Sequence, residues 1–161
     1  PMVVAGPGVE PGSHTICPIW GADLLPTIAS LAGGTHHLPD SLDGGSFSNL
    51  LLQGGTGKVT RPYDGMAFHV PYQNKIALNR PHSARISGDF KLLYFHDDGE
   101  TRLYDLQADI GEQYDLAESL PAVAERMSSE LLGYLHEVSA PRWQEGITWK
   151  NAPFRSFESI H

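Results

Sequence analysis

Ala84-Arg85-Ile86-Ser87-Gly88-Asp89-Phe90-Lys91-Leu92-Leu93-Tyr94-Phe95-His96-Asp97-Asp98-Gly99-Glu100-Thr101-Arg102-Leu103-Tyr104-Asp105-Leu106 is the stretch whose reading decides the fold. Three short runs of apolar and aromatic residues alternate with two turn signals, Ser87-Gly88-Asp89 and Asp97-Asp98-Gly99-Glu100, each suited to a tight hairpin. Met66-Ala67-Phe68-His69-Val70 upstream reads as one more strand, so the sequence predicts an antiparallel meander of three or four strands. Downstream, Ser119-Leu120-Pro121 offers a capping residue and an early-turn proline. Val123, Ala124, Met127, Leu131, Leu135 and Val138 then follow at steps of one, three and four. That spacing predicts one amphipathic helix of about five turns whose apolar stripe covers one face of the meander. Strands first and helix last make an α+β layer.

Before the meander the pattern differs. Residues 1–5 form a short apolar run closed by Gly6-Pro7-Gly8 and read as a buried strand. Ala22-Asp23-Leu24-Leu25-Pro26-Thr27-Ile28-Ala29-Ser30-Leu31-Ala32-Gly33 reads as a helix capped by Asp23, with Pro26 in its first turn and Gly33 as its left-handed stop. One strand and one helix in 57 residues leave an apolar face uncovered, and the chain opens on Pro1. Both observations lead to the expectation that this is the edge of a larger α/β domain whose remaining sheet precedes Pro1. Residues 35–64 read mostly as loop, with a single helical turn at Phe47 to Leu52. The expected domains are thus residues 1–57, an edge piece with linker, and residues 58–161, the small sheet, long helix and a tail bearing Trp143, Trp149, Phe154 and Phe157.

A chain of 161 residues, 40% hydrophobic and 19% charged, is ordinary globular material. Its apolar runs are far shorter than the roughly 20 residues that span a bilayer, so no membrane partner is expected. A net charge of −8 argues against nucleic acid as a partner, because binding phosphates needs a clustered basic face. The charge is uneven. Residues 1–57 contain no Lys or Arg, whereas Lys58, Arg61, Lys75, Arg80, Arg85 and Lys91 face only Asp64 and Asp89 over residues 58–91. This segment is the one expected to welcome an anion.

Individual motifs carry less. Gly54-Gly55-Thr56-Gly57-Lys58 fails the phosphate-loop spacing, since Leu52 stands where the first Gly is needed and Val59 where Ser or Thr is needed. His36-His37 lacks further metal ligands at a useful step, and Cys17, the single cysteine, has no visible base beside it. His69 stands out because it ends a strand just before Pro71-Tyr72-Gln73-Asn74-Lys75, a polar and aromatic loop. A sheet fixes such a residue while the loop gives its neighbours reach.

The order of these segments resembles the C-terminal third of a formylglycine-dependent sulfatase of the alkaline phosphatase superfamily. Asp23-Leu24-Leu25-Pro26-Thr27 is similar to that family's D-x-x-P-T helix, and Leu42-Asp43-Gly44-Gly45-Ser46 to its L-D-G-x-S loop. Phe68-His69-Val70-Pro71 is similar to its W-H-x-P segment, Arg85 to Leu92 to its R-x-G-D-x-K-L hairpin, and Leu103-Tyr104-Asp105-Leu106 with Asp109, Glu112 and Leu116 to its L-Y-D-L strand and following turn. The resemblance runs from residue 1 to about residue 138. Departures are Ile110, where proline is usual, Tyr114, where asparagine is common, and Ala67-Phe68, where an aromatic pair is usual.

What the resemblance implies divides into two parts. The formylglycine, the calcium ion and the catalytic histidines and lysines of the family belong to sequence preceding this region, so no cofactor, metal site or catalytic residue is expected in this chain. Cys17 is followed by Pro18-Ile19-Trp20-Gly21, without the Arg that a formylglycine motif requires. The expected role is to shape a substrate pocket through His69, Tyr72, Gln73, Asn74, Lys75 and His82, with the upstream catalytic domain as partner and a sulfated sugar or small molecule as substrate. The alternatives are a phosphonate or phosphodiester hydrolase of the same superfamily and a stand-alone, non-catalytic binding module. An uncovered apolar face on the first helix separates a piece of a larger enzyme from the module. Family members are commonly periplasmic, secreted or lysosomal, and the sequence itself assigns no compartment.

Overall fold

The structure, a computed structural model, describes residues 2–73 and 80–144. The chain divides into two compact units, Pro1–Asp64 and Gly65–His161.

In the first unit a 3-10 turn, Gly21–Asp23, leads into helix α1, Leu24–Leu31, and a second short helix, α2, spans Ser48–Leu52. Pro26 sits in the first turn of α1 and Gly33 (φ 72°) follows its end, as the sequence suggests. Asp23 takes the N-cap position of α1, as the sequence suggests, but its side chain makes no cap bond to that helix. Its carboxylate is fully buried and accepts hydrogen bonds from the backbone amides of Trp20 (3.1 Å) and Gly45 (2.9 Å). Arg61 grips it at both oxygens, Nε to Oδ1 at 2.9 Å and Nη2 to Oδ2 at 2.7 Å. One turn on, Thr27 Oγ1 donates to the Asp23 carbonyl at 2.7 Å and accepts from the Phe47 amide at 2.9 Å. Asp23 and Thr27 therefore tie the loop at 44–47 to α1. Gly44 and Gly45 are required for that approach, because a Cβ on either would stand about 2 Å from a backbone carbonyl oxygen, of Ala22 and Thr60 respectively. Met2 to Ala5, expected as a strand, forms no ladder among the described residues, and Val3 is 95% exposed. An extended segment becomes a strand only when a neighbour takes up its amides and carbonyls.

The second unit holds strands β1 (Met66–Val70), β2 (His82–Ser87), β3 (Phe90–Phe95) and β4 (Thr101–Asp105), hydrogen-bonded in chain order as an antiparallel meander. The β2–β3 hairpin closes on Ser87 opposite Phe90, with Gly88 at φ 58°. Helix α3, Pro121–Glu137, packs on one face. Leu120 rather than Ser119 occupies its cap position, with Pro121 as first helical residue. Alternation along the strands sorts the side chains. Leu92 and Leu103 meet Ala124, Met127, Leu131 and Leu135 of α3 in one core, whereas Ala84, Leu93, Phe95 and Tyr104 cluster on the other face. This is the α+β layer of a small antiparallel sheet and one long C-terminal helix.

Candidate functional site

β1 fixes His69. In the register Ala67 pairs with Arg85 and His69 with Ser83, so His69 and Ser83 stand side by side on the α3 face near the end of the sheet. His96, the residue after β3, joins them. The fourth contributor comes from beyond α3, where Ser139 adopts φ 52° and turns the chain. The amides of Ser139 and Ala140 bond back to the carbonyls of His136 and Leu135, the turn by which a helix ends in the left-handed region. This delivers the Pro141 carbonyl to His69 Nε2 at 2.7 Å.

The chemistry of that carbonyl sets every proton in the cluster. A carbonyl oxygen only accepts, so His69 Nε2 carries the hydrogen and Nδ1 of the neutral ring accepts from the Ser83 hydroxyl at 2.7 Å. Ser83 Oγ then accepts from His96 Nε2 at 2.8 Å. Donors thus run from His96 through Ser83 and His69 to Pro141. Burial pushes both imidazole pKa values down, and the charge that His82 would carry adds to the effect. The Pro141 bond partly opposes the shift at His69, and His96 is pushed down to about 4. Both rings are neutral at pH 7.

A pH dependence follows. An unfolded histidine takes up its proton near 6.5, the folded His96 only near 4. The unfolded state therefore binds more protons between these values. The contribution of His96 is complete above pH 6.5, shrinks as pH falls and is gone below about 4. The expected loss is on the order of 2 kcal/mol after solvent screening, read as a fall in urea midpoint between pH 7 and pH 4.5. In His96→Gln that part of the pH dependence should vanish.

The relay borders a pocket of about 620 Å³ in the second unit, walled by His69, Tyr94 and His96 from the sheet side and by His136, Arg142 and Trp143 from the end of α3 and beyond. Of the residues proposed from sequence, His69 reaches this pocket. Tyr72, half-buried, and Gln73, exposed, follow on the loop and do not line it. His82 points to the opposite face, where its Nδ1 donates to the Arg80 carbonyl at 2.7 Å and its ring packs near Phe95. Asn74 and Lys75 lie outside the described residues, as do Trp149, Phe154 and Phe157 of the tail.

The basic segment proves less open to anions than its sequence implies. Arg61 is held by Asp23, Arg80 by Asp97, Asp98 and Glu100, Arg85 by Glu130 and Lys91 by Glu112. Arg80 also lies over the Phe95 ring, 4.0 Å from its centroid. Their partners lie 17 to 45 residues away in sequence, which a local charge count does not see. Ser83, Tyr94, His96, His136 and Arg142 were not legible as site residues. The available signal was that a strand pairing with 66–70 must place something beside His69.

No family model matches the chain. A protein of Formosa agariphila described as a sulfatase is 29% identical over 165 residues, which take in 94% of this chain and 29% of that protein. Among solved structures, the 2-O GAG sulfatase BT1596 superposes with a TM-score of 0.58 at 21% identity, over 73% of this chain and 25% of its own. Ps i-CgsB in complex with k-i-k-neocarrahexaose does so with a TM-score of 0.55 at 21% identity, over 79% and 26%. The chain spans 29% of the length of the curated relative it matches and, in sequence and in fold, is similar to one portion of a sulfatase.

Proposed function

We propose that this chain is part of a sulfuric ester hydrolase acting on sulfated sugars, in which it shapes the substrate pocket while the catalytic groups lie in sequence upstream. The observation that carries this reading is the match to a sulfatase along 94% of the chain but only 29% of that protein. The surface of the first unit supports it against a stand-alone module: on α1, Leu24, Leu25, Ile28 and Leu31 are 43%, 53%, 62% and 51% exposed. An apolar face of that kind is at odds with a finished surface and suits one covered by the rest of a domain.

The formylglycine and calcium that the resemblance implies do not fit the residues present. Cys17 lacks the following Arg, and among the described residues no group of three His, Cys, Asp or Glu side chains is arranged to hold a metal. On this reading both belong to the parent protein outside this chain, and no step is derived through them. The contribution of this chain is to bind and orient the part of the substrate beyond the ester, through His69 and the Tyr72, Gln73, Asn74 and Lys75 loop that follows it; His82, turned to the opposite face of the sheet, does not join His69 in that set.

The test is sulfate release by the full reading frame that contains this sequence, assayed on sulfated mono- and disaccharides beside a phosphodiester and a phosphonate. Sulfate release by the full protein and none by the 161-residue chain is expected. Preference for either phosphorus substrate would overturn the sulfatase reading. His69→Ala in the full protein is expected to raise KM about tenfold with kcat little changed, the signature of lost ground-state binding. Unchanged kinetics would remove His69 from the set.

A further inference from the structure

We infer that the pocket between the end of the sheet and the end of α3 is a binding site for a sulfated hexose ring, with Trp143 and Tyr94 offering flat faces to the sugar and Arg142 and His136 meeting the sulfate. The choice of a sulfated ligand rests on the functional reading above; the existence of the site rests on the wall itself. At about 620 Å³ the pocket lies in the range of small-ligand sites. Its composition runs against that of the chain, which carries 19 acidic residues to 11 basic ones. Among the described residues that line the pocket there is no carboxylate, whereas there are one guanidinium and three imidazoles. The C-terminal end of α3 carries partial negative charge, which the Arg142 guanidinium offsets, and a guanidinium can give two parallel N–H donors to a tetrahedral oxyanion.

The wall is also held in place. The ring nitrogens that His69 and His96 present to Ser83 and Pro141 are engaged, so these two rings contribute shape more than charge at neutral pH. The bond from His69 to the Pro141 carbonyl anchors the backbone just before Arg142 and Trp143, the two residues with most to offer a sulfated sugar. His96 and Tyr94 meet edge to face with centroids 5.2 Å apart, and His69 meets His96 at 5.4 Å. The half-buried Trp143 has its indole Nε1 without a hydrogen-bond partner, a donor that a sugar hydroxyl can satisfy once the ring adjusts. Aromatic rings, the unpartnered Trp143 donor, a guanidinium and, among the described residues, no carboxylate together suit a neutral ring bearing a negative group.

The experiment uses the 161-residue chain and four probes, galactose 4-sulfate, galactose 6-sulfate, N-acetylglucosamine 6-sulfate and a 2-O-sulfated heparin disaccharide, with their unsulfated counterparts and sodium sulfate as controls. Binding is followed through the His136 ring and Trp143 indole signals in NMR spectra. At least one sulfated probe is expected to give saturable shifts, with its unsulfated counterpart and sulfate alone each about tenfold weaker or more. Arg142→Ala should bring the sulfated and unsulfated sugars to within about twofold of each other. Trp143→Ala should weaken both about tenfold, while Trp143→Phe, which keeps a flat face, should stay within about threefold of the parent chain. Amide spectra matching the parent chain exclude misfolding, and the exposed Arg142 gives a second variant independent of the tryptophan. Absence of binding by every probe, affinity untouched by both Arg142→Ala and Trp143→Ala, or sodium sulfate binding as tightly as the sugars would overturn the inference. Sulfate release by the full protein without saccharide binding by this chain would defeat the pocket alone. Binding without sulfate release would defeat the sulfatase reading alone.

Discussion

Replacing Asp23 by Ala is expected to destabilise the first unit by about 3–5 kcal/mol, the usual result of removing one partner from a buried ion pair. The side chain of Arg61 is only 9% exposed and that of Asp23 not at all, so the variant leaves a guanidinium with its charge uncompensated. It also strips the amides of Trp20 and Gly45 of their acceptor. Burial alone would raise the Asp23 carboxyl pKa, but Arg61 and the two amides outweigh it and hold the group below its ordinary value near 3.8. A carboxyl depressed in the folded state stabilises fully above its unfolded pKa and loses that contribution as pH falls through the folded one. The Asp23 effect therefore persists at pH 5, where the His96 contribution is already shrinking. Urea unfolding followed through Trp20, in a background where Trp143 and Trp149 are Phe, measures it. Arg61→Ala and the double variant complete a cycle, and a coupling below about 1 kcal/mol would show that the pair does not hold the loop.

Leu131→Ala should destabilise the second unit by about 2–5 kcal/mol. Leu131 is fully buried in the cluster that joins α3 to Leu92 and Leu103, and truncating it leaves a cavity between helix and sheet. Leu132, its neighbour, is 38% exposed and supplies the control, with an expected change under about 1 kcal/mol. Helix circular dichroism against urea reads both. Because the last turns of α3 also wall the pocket, Leu131→Ala should weaken saccharide binding as well, at concentrations of urea too low to unfold the chain.

The sheet was legible because its information is local. β1 and β3 coincide with the runs read from sequence, Met66–Val70 and Phe90–Phe95, since period-two alternation and turn residues are properties of neighbours. β2 extends further toward its start than its apolar residues suggest. His82 and Ser83 are polar, yet both pair with β1 and β3, and pairing rather than hydropathy defines a strand. Asp23 stands at the cap position read from sequence, but the role of its carboxylate was not legible, for the opposite reason. A helix-start Asp suggests a cap, and nothing near it reveals that Arg61, 38 residues on, will claim the carboxylate. The relay from His96 to Pro141 is likewise non-local, joining β1, β2, the end of β3 and the segment after α3. Single residues of it were visible, but their convergence was not.

The clasp between α1 and the 44–47 loop bears on what a shared signature means. Asp23, Thr27, Gly44 and Gly45 are among the residues through which the chain resembles a sulfatase, and all four are occupied in fastening backbone to backbone. Motifs of this sort preserve a shape and are silent about the reaction. A search keyed to them would gather relatives by descent, including any that had abandoned the ancestral chemistry, and sorting those by activity would require looking at a different part of the molecule.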